Sequence, residues 1–405
     1  MKTNFRMQTT PINKLSASKT GPSSPPSSSK PPKLSFKDKL KKHKIKLIIA
    51  SILVILLAIS AAFYFLIYLP SLPAKSRPAI FRPKKTALYS TLSGEKLQNP
   101  KDDNLPIFCM QIPNGQDGAR PQIGLHEAKI VFEAIAEAGI TRFAAVFQNP
   151  TGSAIGPIRS LRSYYYNWDK PFNCTVIHAG GSDDALAAIR GYERDLSESY
   201  DYMWRDYSGY RAPNNLFTST ELLNKFNQNH NIANSKFTAF KRLKPKKAAK
   251  IAKKQGKKQP VSNINISFGS SAGFSLSYAY DAKTNSYLRS YANGEPHLAY
   301  SCPAGQNRPK PKQNCGQPAQ LAPKVVIAMK VPQSRGSDGY HEDITTTGSG
   351  QAVIFQNGTA LTATWEKPTE NSQIKFKNKK GKIIPLTPGQ TWISAISASA
   401  GQVSY

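Results

Sequence analysis

The sequence predicts an α+β protein with a single N-terminal transmembrane helix, then a layered α/β domain, then a mostly antiparallel β domain. Three observations predict it. Residues 47–69, LIIASILVILLAISAAFYFLIYL, form one uncharged apolar run, long enough to cross a hydrocarbon layer of about 30 Å. Between residues 107 and 190, strand-like apolar runs alternate with stretches of helical spacing, the pattern of helices layered on a sheet. After Val261 the spacing changes to short alternating runs separated by turn residues. Among those turns is Asn357-Gly358, a strong hairpin signal.

Taken in order, the chain opens on a basic tail. Of its 405 residues 55 are Lys or Arg and 24 Asp or Glu, a net charge of +31, and twelve of the basic and one of the acidic residues precede Leu47. The tail, residues 1–46, contains GPSSPPSSSKPPK and is too poor in apolar groups to fold, so it is expected to be disordered and cytoplasmic. The apolar run 47–69 exceeds the core of a cleaved signal peptide, about 7 to 15 residues, and Leu72-Pro73-Ala74 is a poor cleavage site. An uncleaved anchor is therefore expected. The lysine cluster from Lys37 to Lys46 orients it by the positive-inside rule, giving a single-pass cell-membrane protein with residues 70–405 outside. The outer part keeps a net charge of roughly +20. Such a body attracts phosphate-rich or carboxylate-rich wall polymers, anionic lipid or extracellular DNA; the plainer explanation is a lysine-rich proteome.

Residues 70–98 read as a Pro/Lys-rich stalk. The α/β domain, 99–240, is predicted as strand 107–112, helix 124–138, strand 141–148, helix 157–168, strand 174–179 and helix 182–190. An aromatic and basic loop, 200–215, and a helix over 219–227 follow, with Thr218 and Glu221 at capping-box spacing. Residues 241–260 are the clearest linker, since KRLKPKKAAKIAKKQGKK holds ten basic residues and no acid. Its alanines allow a short basic helix, but without aromatics it lacks the stacking surfaces of a single-strand nucleic-acid site. A solvated charge run and a contact for an anionic polymer are both open. The β domain occupies 261–405.

Four cysteines fit an oxidising compartment. Cys302 and Cys315 bracket a Pro, Gly and Lys-rich loop that a disulfide would close, stabilising the fold by roughly 3 kcal/mol in the chain-entropy model. Cys109 and Cys174 lie in apolar strand runs and read as buried small side chains.

The densest chemistry lies between Gly118 and Ser182. On a helix over 125–138, Leu125, Ala128, Phe132, Ile135 and Ala138 make the apolar stripe, while Glu133 and Glu137 share another face. Like charges four apart need cations nearby, and Arg142, Arg159 and Arg162 supply them, with Tyr166 on the face of the second helix. Two readings of the glutamates stand. Burial beside Phe132 and Ala134 would raise Glu133 toward a general acid for glycan cleavage, assisted by Glu137 or His178; alternatively the glutamates satisfy the arginines. Arg159, Arg162 and Arg211, the last in the YRAPNN loop with Asn214, are candidates to clamp a phosphate or carboxylate. His178 closes a strand before Gly180-Gly181-Ser182, where α/β sheets place ligands. However, Asp183 and Asp184 already occupy the positive helix end, and Ser182 reads as helix cap before nucleophile. His341-Glu342-Asp343 and His297 repeat no recognised zinc spacing, so no metal is expected, and no cofactor motif is present. Trp365 and Trp392 sit in strand runs and read as packing residues.

The runs ARPQIGLHEAKIVFEAIAEAGITRF, IGPIRSLRSYYYNW, VIHAGGSDDA and RDYSGYRAPNNLFTST resemble the YerB-like family of bacterial envelope proteins. In the last part YAYDAKTNSYLR, GSGQAVIFQNGTALTATWEK and IIPLTPGQTWISAIS are similar to that family's C-terminal domain. The resemblance covers about three quarters of the chain. It implies the two-part architecture and an envelope location, and it implies no reaction. The chain departs from lipoprotein members, since its first cysteine is Cys109, far from any lipidation site.

The expectation that follows is an extracytoplasmic protein whose α/β domain binds a cell-envelope glycan or anionic wall polymer through Arg142, Arg159, Arg162, Tyr166, Ser182, Arg211, Asn214 and His178. Whether it is also an enzyme stays open, with Glu133 as acid the catalytic alternative. Electrostatic capture of nucleic acid rests on charge alone.

Overall fold

The run IVFEAIAE is apolar at nearly every position, a pattern that a helix and a strand buried on both faces share. The computed structural model, which describes residues 36–72, 88–255, 260–269 and 272–405, resolves it as a strand. All eight residues of Ile130–Glu137 are buried. The helix expected over 124–138 is therefore replaced by a short 3-10 turn, Leu125–Glu127, and this strand. Ala138 and Gly139, both at positive φ, make the tight turn into the next strand.

That strand belongs to one ten-stranded mixed sheet, whose members in chain order are β1 Ile107–Pro113, β2 Ile130–Glu137, β3 Ile140–Gln148, β4 Thr175–Ile177, β5 Asp195–Leu196, β6 Val325–Val331, β7 Gly348–Gln356, β8 Thr359–Lys367, β9 Lys375–Lys377 and β10 Thr391–Ser397. Their spatial order is β9-β8-β7-β6-β10-β2-β3-β1-β4-β5. Antiparallel pairs alternate with two parallel stretches: β10 runs parallel to both β6 and β2, and β4 runs parallel to both β1 and β5. Strand β10 is inserted between the two halves of the sequence. The α/β half at 99–240 and the β half at 261–405 thus share one sheet inside one compact unit, Thr86–Tyr405.

Alternate residues of β1 and β2 feed different cores. Ile107, Cys109, Ile130 and Phe132 pack with Trp168, Phe172 and Trp365 on one face, whereas Phe108, Met110, Val131 and Phe143 pack with Trp392 on the other. Above β6, β7 and β10 lies a second, four-stranded antiparallel sheet that contains Leu276–Asp281 and Ser286–Tyr291 and buries Ile264, Tyr278 and Phe355 between the layers. The Asn357-Gly358 turn joins β7 to β8 with both residues at positive φ, as an Asn-Gly hairpin requires.

Further differences from the sequence reading are local. Residues 157–162 are extended and the second helix is only Ser163–Asp169. The helix expected over 219–227 runs Thr220–Asn229, and its cap is Ser219, whose hydroxyl accepts from the Leu222 amide at 3.2 Å. Leu92, placed in the stalk, is fully buried in the core. Arg242, placed in the linker, is half-buried and donates to the Leu92 carbonyl and the Thr391 hydroxyl; the helix Pro245–Gln255 follows it. Cys109 and Cys174 are joined in a disulfide rather than free, and Cys302 pairs with Cys315 as expected.

In the other unit, a helix from Phe36 continues to Ser71, and its segment His43–Ser71 is long and apolar enough to cross a membrane. The last residues of the expected tail are thus helical. The remainder of that tail up to residue 35, the stalk over 73–87 and the linker over 256–259 lie outside the described residues.

Candidate functional site

Two polar clusters grow from the β2–β3 hairpin, and one irregularity separates them. The ladder pairs Ile135 with Thr141 and Glu137 with Ile140, so an extra residue is accommodated at Ala136. Such a bulge switches the face on which the next side chain emerges. Glu133 accordingly lies with Thr141 on one face, and Glu137 meets Arg142 on the other. The tyrosine run clamps the hairpin there, with Tyr164 Oη donating to the Ile135 carbonyl and Tyr165 Oη within 2.7 Å of the Ala134 and Arg142 carbonyls.

In the first cluster Glu137 binds two guanidiniums, Arg142 at 2.5 Å and Arg162 at 2.6 Å. Burial alone would raise its carboxyl, but Arg142 and Arg162 hold it below the usual carboxylate value. Arg159 lies beside them and beside Tyr340, partly exposed, and its guanidinium makes no hydrogen bond among the described residues. Burial and then the charge of Arg142 pull Arg159 below the usual arginine value. Three cations thus share one carboxylate. Arg162 also lines a cleft of about 410 Å³ whose other charged groups are mostly acids, Asp183, Asp184, Asp338, Glu342 and Asp343, with Ser182 and His341 beside them. Burial works against the Asp184 carboxylate, yet the Ser163 and Ser182 hydroxyls hold it below its ordinary value. Ser182 stands at the N-cap position of Asp183–Ile189 without donating or accepting a cap hydrogen bond through its side chain.

The second cluster is sealed. Glu133 is 0% exposed and accepts from Arg289 Nη2 at 3.0 Å and from Thr141 Oγ1 at 3.0 Å. Burial pushes its carboxyl up, against the pull of Arg289. Arg289 Nη1 donates to Tyr278 Oη at 2.6 Å, Arg289 Nε donates to His297 Nδ1 at 2.7 Å, and His297 Nε2 lies 2.8 Å from Gln122 Oε1. Trp392 lies under the guanidinium, 4.2 Å from ring centre to Cζ. Because His297 Nδ1 accepts from an arginine, its protonation is opposed by burial and by two cations, Arg289 and Arg120, which put its pKa well below 6.5.

A pH prediction follows from that histidine. A base depressed in the folded state contributes stability that is complete above the unfolded-state value near 6.5 and is lost below it, at about 1.4 kcal/mol per pH unit. Urea midpoints followed by tryptophan fluorescence between about pH 7 and pH 5 should fall in the native chain and fall less in His297→Gln. Parallel profiles would show that His297 is not the group responsible.

The remaining predicted residues are dispersed. His178 is fully buried, with Nδ1 2.8 Å from the Gly180 carbonyl and Nε2 2.8 Å from Asp195 Oδ1. Tyr166 packs edge-on against Tyr192, with Lys170 over its ring. The turn Arg211–Asn214 sits against Asp117, whose carbonyl accepts from Asn214 Nδ2 at 3.1 Å. Arg142, Arg159, Arg162 and Glu137 are brought together; Glu133, His178 and Arg211 are not part of that group. Missed from the sequence were Asn114, Arg120, Gln122 and Arg289.

The two polar clusters fall in segments matched by family models. A model described as "Protein of unknown function (DUF3048) N-terminal domain" matches residues 92–233, and the corresponding C-terminal domain model matches residues 264–393. The chain belongs to this family. In the DUF3048 numbering of parts, Glu133, Glu137 and the three arginines come from the N-terminal domain, whereas Arg289 and His297 come from the C-terminal one. The Bacillus subtilis (strain 168) protein named "Putative lipoprotein YerB" is 28% identical over 316 residues, 76% of this chain and 86% of that protein. The crystal structure of Bacillus subtilis YerB covers 78% of this chain and all of its own, at 24% identity and a TM-score of 0.62, and so shares the fold.

Proposed function

We propose that this DUF3048 protein is held at the membrane by its apolar helix, with the basic segment cytoplasmic and the strand-rich unit outside, and that the unit binds an anionic cell-envelope polymer or glycan without catalysis. The observation that carries the reading is the shortage of acceptors around Arg159. Glu137 pairs with two guanidiniums, and the third, Arg159, is half-buried with no ion pair among the described residues. An incoming phosphate or carboxylate would relieve that repulsion and take up the free donors. The acids and hydroxyls of the cleft beside Arg162 suit sugar hydroxyls. The lysine-rich helix Pro245–Gln255 adds sequence-independent attraction.

The glycan-cleaving alternative draws no support from the geometry, because Glu133 is sealed against Arg289 and a substrate oxygen has no route to it. The test is co-sedimentation of the full chain in detergent with isolated wall material. Arg159→Ala is expected to weaken retention about tenfold, the worth of one charge-assisted hydrogen bond. Unchanged retention would sink the reading, and release of new soluble sugars would favour the enzyme.

A further inference from the structure

Between the two domains matched by the family models lies a cleft of about 690 Å³, lined by Gln116, Arg120, Tyr291, Asn293 and Glu295. Arg120 comes from the loop before β2 and stacks over Tyr291 of the second sheet, 3.7 Å from ring centre to Cζ. Its Nε donates to Asn114 Oδ1 at 3.0 Å, and Asn114 Nδ2 in turn donates to Thr141 at the edge of the sealed cluster. Two donors are left over. Arg120 Nη2 and Tyr291 Oη are buried with no partner among the described residues, and Tyr291 as a whole is only 7% exposed. A buried donor without an acceptor is costly, so each such group in a folded protein calls for an explanation.

The charges point the same way. Arg120 and Arg289 stand near one buried carboxylate, Glu133, and His297 accepts from Arg289 and is therefore neutral. Glu295 lies exposed at the rim. The buried groups beside the cleft, Arg120, Arg289 and Glu133, thus carry one positive charge in excess, which Glu295 at the rim offsets only from the solvent side. An oxygen acceptor with one negative charge, offering two oxygens to two donors, satisfies both the hydrogen bonds and the charge.

We propose that the Arg120–Tyr291 cleft is a second binding site, separate from the Arg159 cluster, and that it takes the carboxylate of a small sugar acid or peptide end. The site exists only when the two domains are docked, because each supplies one donor. It goes beyond the polymer-binding reading and does not depend on it.

Glucuronate and glucose, which differ in the carboxylate, are the probes, with inorganic phosphate as the third. Binding to the full chain in detergent is measured by saturation-transfer NMR. Glucuronate is expected to bind saturably and at least about tenfold more tightly than glucose. Tyr291→Phe keeps the ring under Arg120 and removes one donor, so it should weaken glucuronate about tenfold; Arg120→Lys keeps the charge and should weaken it as well. In Arg159→Ala, which removes the free cation of the first cluster, saturable glucuronate binding should remain and should still be weakened by Tyr291→Phe. In the Arg159→Ala chain, equal binding of glucose, tighter binding of phosphate, full glucuronate affinity on adding Tyr291→Phe, or no saturable binding overturns the proposal. Loss only in Arg159→Ala also overturns it, while leaving the polymer-binding reading intact.

Discussion

Replacing Arg289 by methionine is expected to lower the unfolding free energy by about 3–5 kcal/mol, the usual result of removing one partner of a buried ion pair. Both side chains of the Arg289–Glu133 pair are 0% exposed. The substitution leaves Glu133 charged in the interior and removes a donor from Tyr278 Oη and from His297 Nδ1 at the same time. The double variant Glu133→Leu, Arg289→Met should recover a large part of the loss, since a buried pair replaced by apolar groups is often close to neutral. All four tryptophans of the chain lie within Thr86–Tyr405, so urea unfolding followed by their fluorescence reports this unit alone. A loss below about 1 kcal/mol in the single variant would mean that solvent reaches the pair.

The disulfides give the second large effect. Cys109–Cys174 closes a loop of 65 residues and Cys302–Cys315 one of 13. In the chain-entropy model the first is worth roughly 4 kcal/mol and the second roughly 3. The order should hold when each pair is replaced by alanine. Cys109 lies on β1, Cys174 directly precedes its parallel neighbour β4, and both are buried in one hydrophobic core, so the first pair also loses core packing. Equal midpoints in the native and Cys109→Ala, Cys174→Ala chains under non-reducing conditions would remove the bridge from the list of stabilising features.

Much of this fold was legible because the decisive signals were local. β1, β3, the Asn357-Gly358 turn and the helix at 220–229 were read close to their observed bounds, since alternation, turn chemistry and caps act over a few residues. β2 was not. Covered on both faces, it has no polar side to reveal its period, and the spacing of Phe132, Ile135 and Ala138 imitates a helix. With the helix went the face assignment. Glu133 and Glu137 look like neighbours at a spacing of four, but a bulge at Ala136 sends them to different faces.

The candidate site shows the same division. The meeting of Glu137 with Arg142 and Arg162 was legible from charge balance within a short stretch. The pairing of Glu133 with Arg289 was not, because 156 residues separate them. A signal existed: in SYLRSY, Tyr287, Arg289 and Tyr291 all point inward from one strand, and an arginine at a core-facing position rarely stands without a purpose. The tyrosine run SYYYNW serves the fold as much as any site: only Tyr166 is expected at a ligand, and Tyr164 and Tyr165 spend their hydroxyls on the carbonyls of the β2–β3 hairpin.

The position of β10 bears on how this molecule is made. As the chain grows, β2 emerges early and must wait with a bare hydrogen-bonding edge until a segment encoded far downstream slides in beside it. Such a wait favours slow maturation and invites edge-to-edge association in the meantime. The ten-stranded sheet is therefore expected to close only once β10 has been made, with the edge of β2 as its last open seam.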